Sequence, residues 1–125
     1  MDRSPWADAH AAASAAEVSL RPLVTVDDAD AILEVMIATW GGHQLLPRES
    51  IVALGESGNT PIGAFDRDDR LIGYVLGWAG VDADGLHVHS HMLAALPDRR
   101  HRGVGFALKL AQRAQALDQG IHVAR

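Results

Sequence analysis

The chain has 125 residues, a formal net charge of −5 at pH 7 and no cysteine. This length fits one domain with a single core, and the lack of cysteine excludes disulfides, thiol nucleophiles and cysteine metal sites within the chain. Basic residues cluster at 99–109 instead of spreading along one face, which argues against a nucleic-acid partner and favours a small anionic ligand. The absence of cysteine also fits a reducing compartment, so we expect a cytoplasmic protein. No apolar run is long enough to cross a bilayer, so we expect no membrane partner.

The first segment, residues 1–17, is rich in alanine. Alanine favours helix, but so short a segment is marginal alone, and the segment is predicted to be either a helical or a disordered N-terminal extension. The folded domain is predicted to span residues 18–125. Alternating apolar and polar residues predict its first strand over 18–23.

Two helices are predicted next. Thr25 and Asp28 form a capping-box pattern before apolar residues at helical spacing, which predicts a helix that stops at Gly41. Pro47, at the first helical position, predicts a second and shorter helix that ends at Gly55.

The middle of the chain reads as three antiparallel strands. Apolar segments at residues 61–65 and 71–78 flank a charged link and predict a β-hairpin. A turn at 82–85 leads to a third strand over 87–96. A helix over 106–119 follows, with a face of small residues for packing on a sheet, and residues 121–124 begin another strand.

The junction between the third of these strands and the helix is the most informative segment. Its residues 96–105 read Leu-Pro-Asp-Arg-Arg-His-Arg-Gly-Val-Gly. A strand that passes through such a turn into a helix leaves the first helical N–H groups unpaired, and these groups bind anions. Gly103 and Gly105 let a phosphate approach the main chain, while Arg100 and Arg102 add positive charge.

Two well-known glycine motifs fit this segment less well. A dinucleotide fingerprint needs a third glycine where the chain has Leu108, and a P-loop needs Gly-Lys-Ser/Thr, which is absent. The remaining alternative is a tight strand-to-helix turn with solvated arginines.

The spacing Arg100-x-x-Gly103-x-Gly105 resembles the coenzyme A (CoA) pyrophosphate loop of the GNAT superfamily of N-acetyltransferases. The consensus there is Arg or Gln, two residues, Gly, one residue, then Gly or Ala. The resemblance covers residues 18–125 and implies an α/β (α+β) GNAT fold, a mixed and mostly antiparallel sheet flanked by helices. The stretch from His89 through Gly105 and on to residue 112 looks like a subgroup of predicted bacterial acetyltransferases of unassigned substrate.

The chain departs from this family at its C-terminus. Full GNAT domains continue past the fifth strand with a further helix and two strands, so we expect residues 18–125 to be an incomplete GNAT domain that ends within that strand. An unfinished sheet edge favours association, which makes a homo-oligomer one expectation. Many relatives place a tyrosine general acid in the missing region, and we do not assign that role to Tyr74.

The resemblance implies acetyl-CoA, or another acyl-CoA, as co-substrate, and no metal. The pantetheine arm is expected along the main chain of Leu93 and Ala95, as an added strand. The pyrophosphate is expected on Arg100, Arg102 and the N–H groups of the residues that open the helix: His101, Arg102, Gly103, Val104, Gly105, Phe106 and Ala107.

The reaction implied is attack by a small-molecule or protein amine on the thioester, with a base that removes the ammonium proton and main-chain N–H groups that stabilise the oxyanion. His87, His89 and His91 alternate along one strand and share a face unless a bulge intervenes. Position relative to the motif favours His87 as the base, and proximity to the expected thioester favours His91. A purely structural role for each histidine stays open.

Three further alternatives stay open. Imidazoles bind zinc, but alternate residues of a strand lie roughly 7 Å apart, which makes a shared ion from these three histidines unfavourable. His43 and Trp40 border the expected acceptor cleft, although a loop role and a core role are the simpler interpretations. A GNAT-like CoA-binding or assembly module without catalysis is the alternative function.

Overall fold

The fold is described from a computed structural model, for residues 4–42, 46–99 and 102–125. The helices and strands follow one another as α1 (Pro5–Ala15), β1 (Ser19–Pro22), α2 (Val26–Trp40), α3 (Arg48–Glu56), β2 (Ile62–Phe65), β3 (Leu71–Asp82), β4 (Gly85–Ala95) and α4 (Val104–Asp118), with a short 3₁₀ turn (Pro97–Arg99) before α4. No helix in the described ranges has the length and apolar character that crossing a membrane requires.

The strands form one antiparallel sheet in the order β1-β2-β3-β4. Helix α4 packs on one face of the sheet. Its Val104 and Leu108 side chains lie so close to Gly73 on β3 that a Cβ added there would contact both. Helix α2 contacts β3 and β4 and packs with α3. The buried side chains between these layers include Tyr74, Ile32, Met36, Ile72, Leu76 and Leu108. The predicted class, a mostly antiparallel sheet flanked by helices, is confirmed.

Helix α1 packs against α4. Ser4 caps its N-terminus, and Ala9 and Ala13 are buried in the common core. The indole Nε1 of Trp6 donates a hydrogen bond of 2.6 Å to Asp118 at the end of α4. Small alanine side chains allow this close helix contact, so the helical alternative for residues 5–15 is the one observed. The division of the chain at residue 17 stays a prediction.

The predicted helix after Thr25 is confirmed in detail. The Thr25 side chain accepts from the Asp28 amide while Asp28 Oδ2 accepts from the Thr25 amide, and Gly41 caps the C-terminus with φ +78°. The next helix differs slightly from its prediction. Pro47 is the N-cap of α3 and not its first helical residue, and the helix continues one residue past Gly55.

The strand boundaries are corrected at their ends. β1 is two residues shorter than predicted, and β3 continues four residues beyond Trp78, so the turn narrows to residues 83 and 84. The predicted strand at 121–124 is present as a single parallel bridge between Val88 and Ala124.

Candidate active site

The start of α4 is the part of the chain where the predicted phosphate site lies. Gly103 is the N-cap, adopts φ +85° and is exposed, and no side chain caps the helix. Within the described residues, no acceptor is found for the amides of Val104, Gly105 and Phe106. These amides and the positive end of the helix dipole favour an anion.

The predicted set of amide donors is too long at one end. The Ala107 amide donates to the carbonyl oxygen of Gly103 at 3.1 Å, because it makes the first hydrogen bond within α4. Arg100 and His101 lie outside the described residues.

Arg102 is turned toward an acidic partner. Its Nη1 lies 3.2 Å from Glu17 Oε2, and Arg67 contacts the other oxygen of the same carboxylate at 3.3 Å. Both arginines line a cleft of about 220 Å³ with Asp66 and Arg99. The charge of Arg102 was predicted to lie beside the amides that open α4. Instead, Glu17 compensates this charge, although the ion pair is half-exposed and therefore weak.

One edge of β4 opens next to these amides. The Leu96 amide donates to Ile72 on β3, so strand alternation places the main chain of Leu93 and Ala95 on the opposite edge. A Cβ added to Gly105 would lie 3.8 Å from the side chain of Leu93. The start of α4 and the outer edge of β4 are thus adjacent.

Residues 123–125 pair with the other half of this edge. The amides of Val88 and Ser90 donate to the carbonyls of Val123 and Arg125, and Arg125 donates back to Val88. The C-terminal segment is therefore paired with β4 over residues 88–90.

A β-bulge follows the paired stretch of β4. Leu76 pairs with Met92 and the next residue, Gly77, pairs with Ser90, so His91 is an extra residue on β4. The strands approach so closely here that a Cβ at Gly77 would lie 2.3 Å from the carbonyl oxygen of His89. Glycine at this position permits the bulge.

Three aromatic side chains gather on the face of the bulge opposite α4. The rings of His89 and His91 lie 5.3 Å apart, and the Trp78 ring is 4.9 Å from the first and 4.5 Å from the second. His89 Nε2 lies 3.2 Å from His91 Nδ1, within hydrogen-bond distance. His91 is exposed and His89 half-buried. Trp78 was not predicted, because its partnership with His89 depends on the β3–β4 register.

His87 has a different environment. Its ring packs over Gly80, and its buried Nδ1 has no hydrogen-bond partner among the residues that the structure describes. This nitrogen lies 3.7 Å from a carboxylate oxygen of Asp82. The ring contacts found in the described chain join His91 to His89 and Trp78 but not to His87. The structure thus separates the two predicted bases.

The remaining predicted groups lie away from the bulge. Tyr74 lies in the core with its hydroxyl buried, and burial raises its pKa well above the ordinary value. Trp40 is about half exposed at the end of α2, whereas His43 lies outside the described residues. Among the residues described, no group of three His, Asp or Glu side chains is arranged to hold a metal ion.

A second cleft was not predicted from the sequence. It has a volume of about 230 Å³ and lies between the start of α2 and α3, where Thr25, Ile51 and Glu56 line it. It shares no lining residue with α4 or β4.

Comparisons with known structures identify the fold. An aminoglycoside acetyltransferase from an uncultured soil metagenomic sample, solved with sisomicin, aligns over 87% of this chain and 76% of its own, with a TM-score of 0.75 and 12% identity. A Trypanosoma brucei acetyltransferase aligns over 86% and 80%, with a TM-score of 0.70 and 16% identity. An Escherichia coli GNAT family N-acetyltransferase (YhbS), solved with CoA, aligns over 84% and 59%, with a TM-score of 0.68 and 20% identity.

A search of curated proteins found no match. The sequence model of the Acetyltransferase (GNAT) family, by contrast, matches residues 29–124, which include the whole of β4 and α4 and most of α2. The chain therefore belongs to the GNAT acetyltransferase family.

Proposed function

We propose that the chain transfers an acyl group, in the simplest case acetyl, from acyl-CoA to a small-molecule amine. The observation that carries this proposal is the adjacency of two features: the amides that open α4, which have no acceptor among the described residues, and the edge of β4 that faces away from β3. A phosphate group fits the amides at the start of α4, and an extended chain that contains amide groups fits the edge of β4.

The residues fit acyl-CoA at both features. The amides of Val104, Gly105 and Phe106 would donate to the pyrophosphate. Gly103, which adopts the αL conformation, has no Cβ that would obstruct the approach of the phosphates to these amides. The main chain of Leu93, which faces away from β3, would bind the pantetheine arm. An E. coli protein of the same fold was solved in complex with CoA, which supports CoA as the kind of ligand.

The acceptor would approach from the opposite face of the sheet, at the bulge. His91 is the exposed histidine at the bulge, and we assign it as the base that takes the proton from the substrate ammonium group. The bound thioester supplies an electrophilic carbonyl. His87, four residues back along β4 with its Nδ1 buried, is the weaker of the two predicted bases.

The acceptor is proposed to be a small amine because a neighbouring fold was solved with the aminoglycoside sisomicin. Its identity is proposed to depend on the side chains around Trp78, which contacts both His89 and His91. Assembly through a sheet edge and a cytoplasmic location stay predictions.

The test combines binding with turnover. Calorimetry should show saturable binding of CoA, and acetyl-CoA should be consumed in the presence of a panel of amines. His91→Ala should lower kcat by about 100-fold or more, as loss of a positioned base does, with CoA affinity retained. His87→Ala is the matched control and should change kcat by less than about threefold, because a residue outside the reacting centre supplies none of the proton transfer. Absence of CoA binding, or the reverse order of the two variants, would refute the proposal.

A further inference from the structure

At the bulge, one ring nitrogen of His89 faces one ring nitrogen of His91. His89 Nε2 and His91 Nδ1 lie 3.2 Å apart, a distance at which one of them must donate and the other accept. One proton therefore lies between them. If both nitrogens carried protons, two N–H groups would point at each other.

We infer that His89 is a positioning residue that holds His91 in the tautomer with hydrogen on Nδ1, so that Nε2 of His91 is left with a lone pair. This inference rests on the proposed function, in which His91 is the base.

Only one of the two arrangements is compatible with that role. If His89 Nε2 donated, His91 would carry its hydrogen on Nε2 and its other nitrogen would be occupied, so it could accept no proton. If His91 Nδ1 donates, Nε2 can take the ammonium proton. The bond to His89 then persists and becomes charge-assisted in the imidazolium state.

Trp78 restricts the geometry of both rings. Its ring centroid lies 4.9 Å from that of His89 and 4.5 Å from that of His91, each tilted by 38°. The bulge adds a second restriction, since it places His91 as an extra residue on the same side as His89. Because packing limits the ring rotations, the facing nitrogens stay within reach.

The other polar groups near the bulge do not offer His91 Nδ1 an alternative partner. Ser90 Oγ accepts from Lys109 on α4, and Ser90 pairs with Gly77, whose Cβ direction points to α4. His87 packs over Gly80 further along the hairpin. In the described chain, His89 is the only partner found for His91 Nδ1.

The direct test is the tautomer of His91, read from imidazole ¹⁵N shifts and two-bond couplings in the labelled full chain at a pH where His91 is neutral. Hydrogen on Nδ1 is expected in the wild type. His89→Phe keeps a ring against Trp78 but removes the acceptor, and should move the hydrogen of His91 to Nε2. His89→Glu supplies a carboxylate, which can only accept, and should restore hydrogen on Nδ1. His10→Phe on α1 is the control and should leave His91 unchanged.

Kinetics provide the second measurement. His89→Phe should lower kcat between about 10- and 100-fold with little change in KM, a part of the roughly 100- to 10,000-fold that a positioned base contributes. His89→Glu should recover most of that loss, which a merely structural defect would not allow.

Failure of this inference is distinct from failure of the proposed function. Hydrogen on Nε2 of wild-type His91, or a tautomer unchanged in His89→Phe, overturns the positioning role whatever the activity. Full activity of His91→Ala instead overturns the assignment of His91 as base, and with it any part of His89 in catalysis.

Discussion

Gly103 offers a way to separate the stability of α4 from its proposed ligand. Its φ of +85° is a conformation that costs a residue with a Cβ about 1–2 kcal/mol, and the nearest atom to an added Cβ is that of Ala16 at 3.9 Å. Gly103→Ala should therefore fold, with a free energy of unfolding lower by about 1–2 kcal/mol.

Gly58 is a matched control. It is also exposed, has φ +87° and has no atom within 4 Å of an added Cβ, but it follows α3. Gly58→Ala should lose a similar free energy of unfolding, because the backbone conformation and the open surroundings are the same.

The two variants should differ in CoA affinity. At Gly103 the new Cβ stands beside the amides of Val104 and Gly105. Loss of one hydrogen bond to a charged phosphate costs about 1.5–3 kcal/mol, which raises the Kd about 10- to 150-fold. Gly58→Ala should leave the Kd unchanged. Calorimetry with CoA and urea unfolding at one ionic strength measure both quantities.

The assignment of the phosphate to the start of α4 is refuted by either of two results. One is a Kd for Gly103→Ala equal to that of the wild type in a variant that shows the expected loss of stability. The other is an equal loss of affinity in Gly58→Ala, which would make the effect one of general destabilisation.

Two further predictions concern buried groups, and urea unfolding across a pH series tests both. Tyr74→Phe should keep or raise the free energy of unfolding at pH 7, because the hydroxyl is fully buried without a hydrogen-bond partner in the described residues. Burial raises the pKa of Tyr74 above 10.0, so the stability of the wild type is complete below pH 10 and declines above it, and Tyr74→Phe should lack this decline. If Tyr74→Phe instead lowered the free energy of unfolding at pH 7 by more than about 1 kcal/mol, the hydroxyl would have a hydrogen-bond partner in the wild type. Asp28→Ala should lower the free energy of unfolding by about 1–2 kcal/mol at pH 7, since it removes the capping box of α2 and the carboxylate that Arg21 contacts at 3.1 Å. Burial raises the pKa of Asp28, but the hydrogen bonds from Arg21, Thr25 and Val24 outweigh this effect and hold the pKa below 3.8. The difference in the free energy of unfolding between Asp28→Ala and the wild type should therefore narrow as the pH falls below 3.8. A difference that stays constant over this range would contradict the prediction.

Local patterns predicted the regular elements well. The Thr25 and Asp28 pair caps α2, and Gly41 ends it with a positive φ, because both signals act within one helical turn. The start of α4 could also be predicted from its glycine, since Gly103 is the N-cap and adopts a positive φ, which favours glycine. The choice between helix and disorder for residues 1–17 could not be made from the sequence, because it depends on packing against α4.

The candidate site was only partly predictable. The alternation of His87, His89 and His91 suggested one shared face, but the bulge that brings His91 to His89 depends on how β3 pairs with β4. That register also sets the contact with Trp78, which lies on another strand. Likewise, the pairing of Arg102 with Glu17 joins residues 85 positions apart, and no local pattern reports it.

Amide chemical shifts during a CoA titration of the ¹⁵N-labelled chain test the central claim most directly. The largest and saturable changes are expected at Val104, Gly105 and Phe106, with a second group at Leu93 and Ala95 on β4. Changes confined to the cleft that Thr25, Ile51 and Glu56 line, or no changes at the start of α4 at saturating CoA, would contradict it.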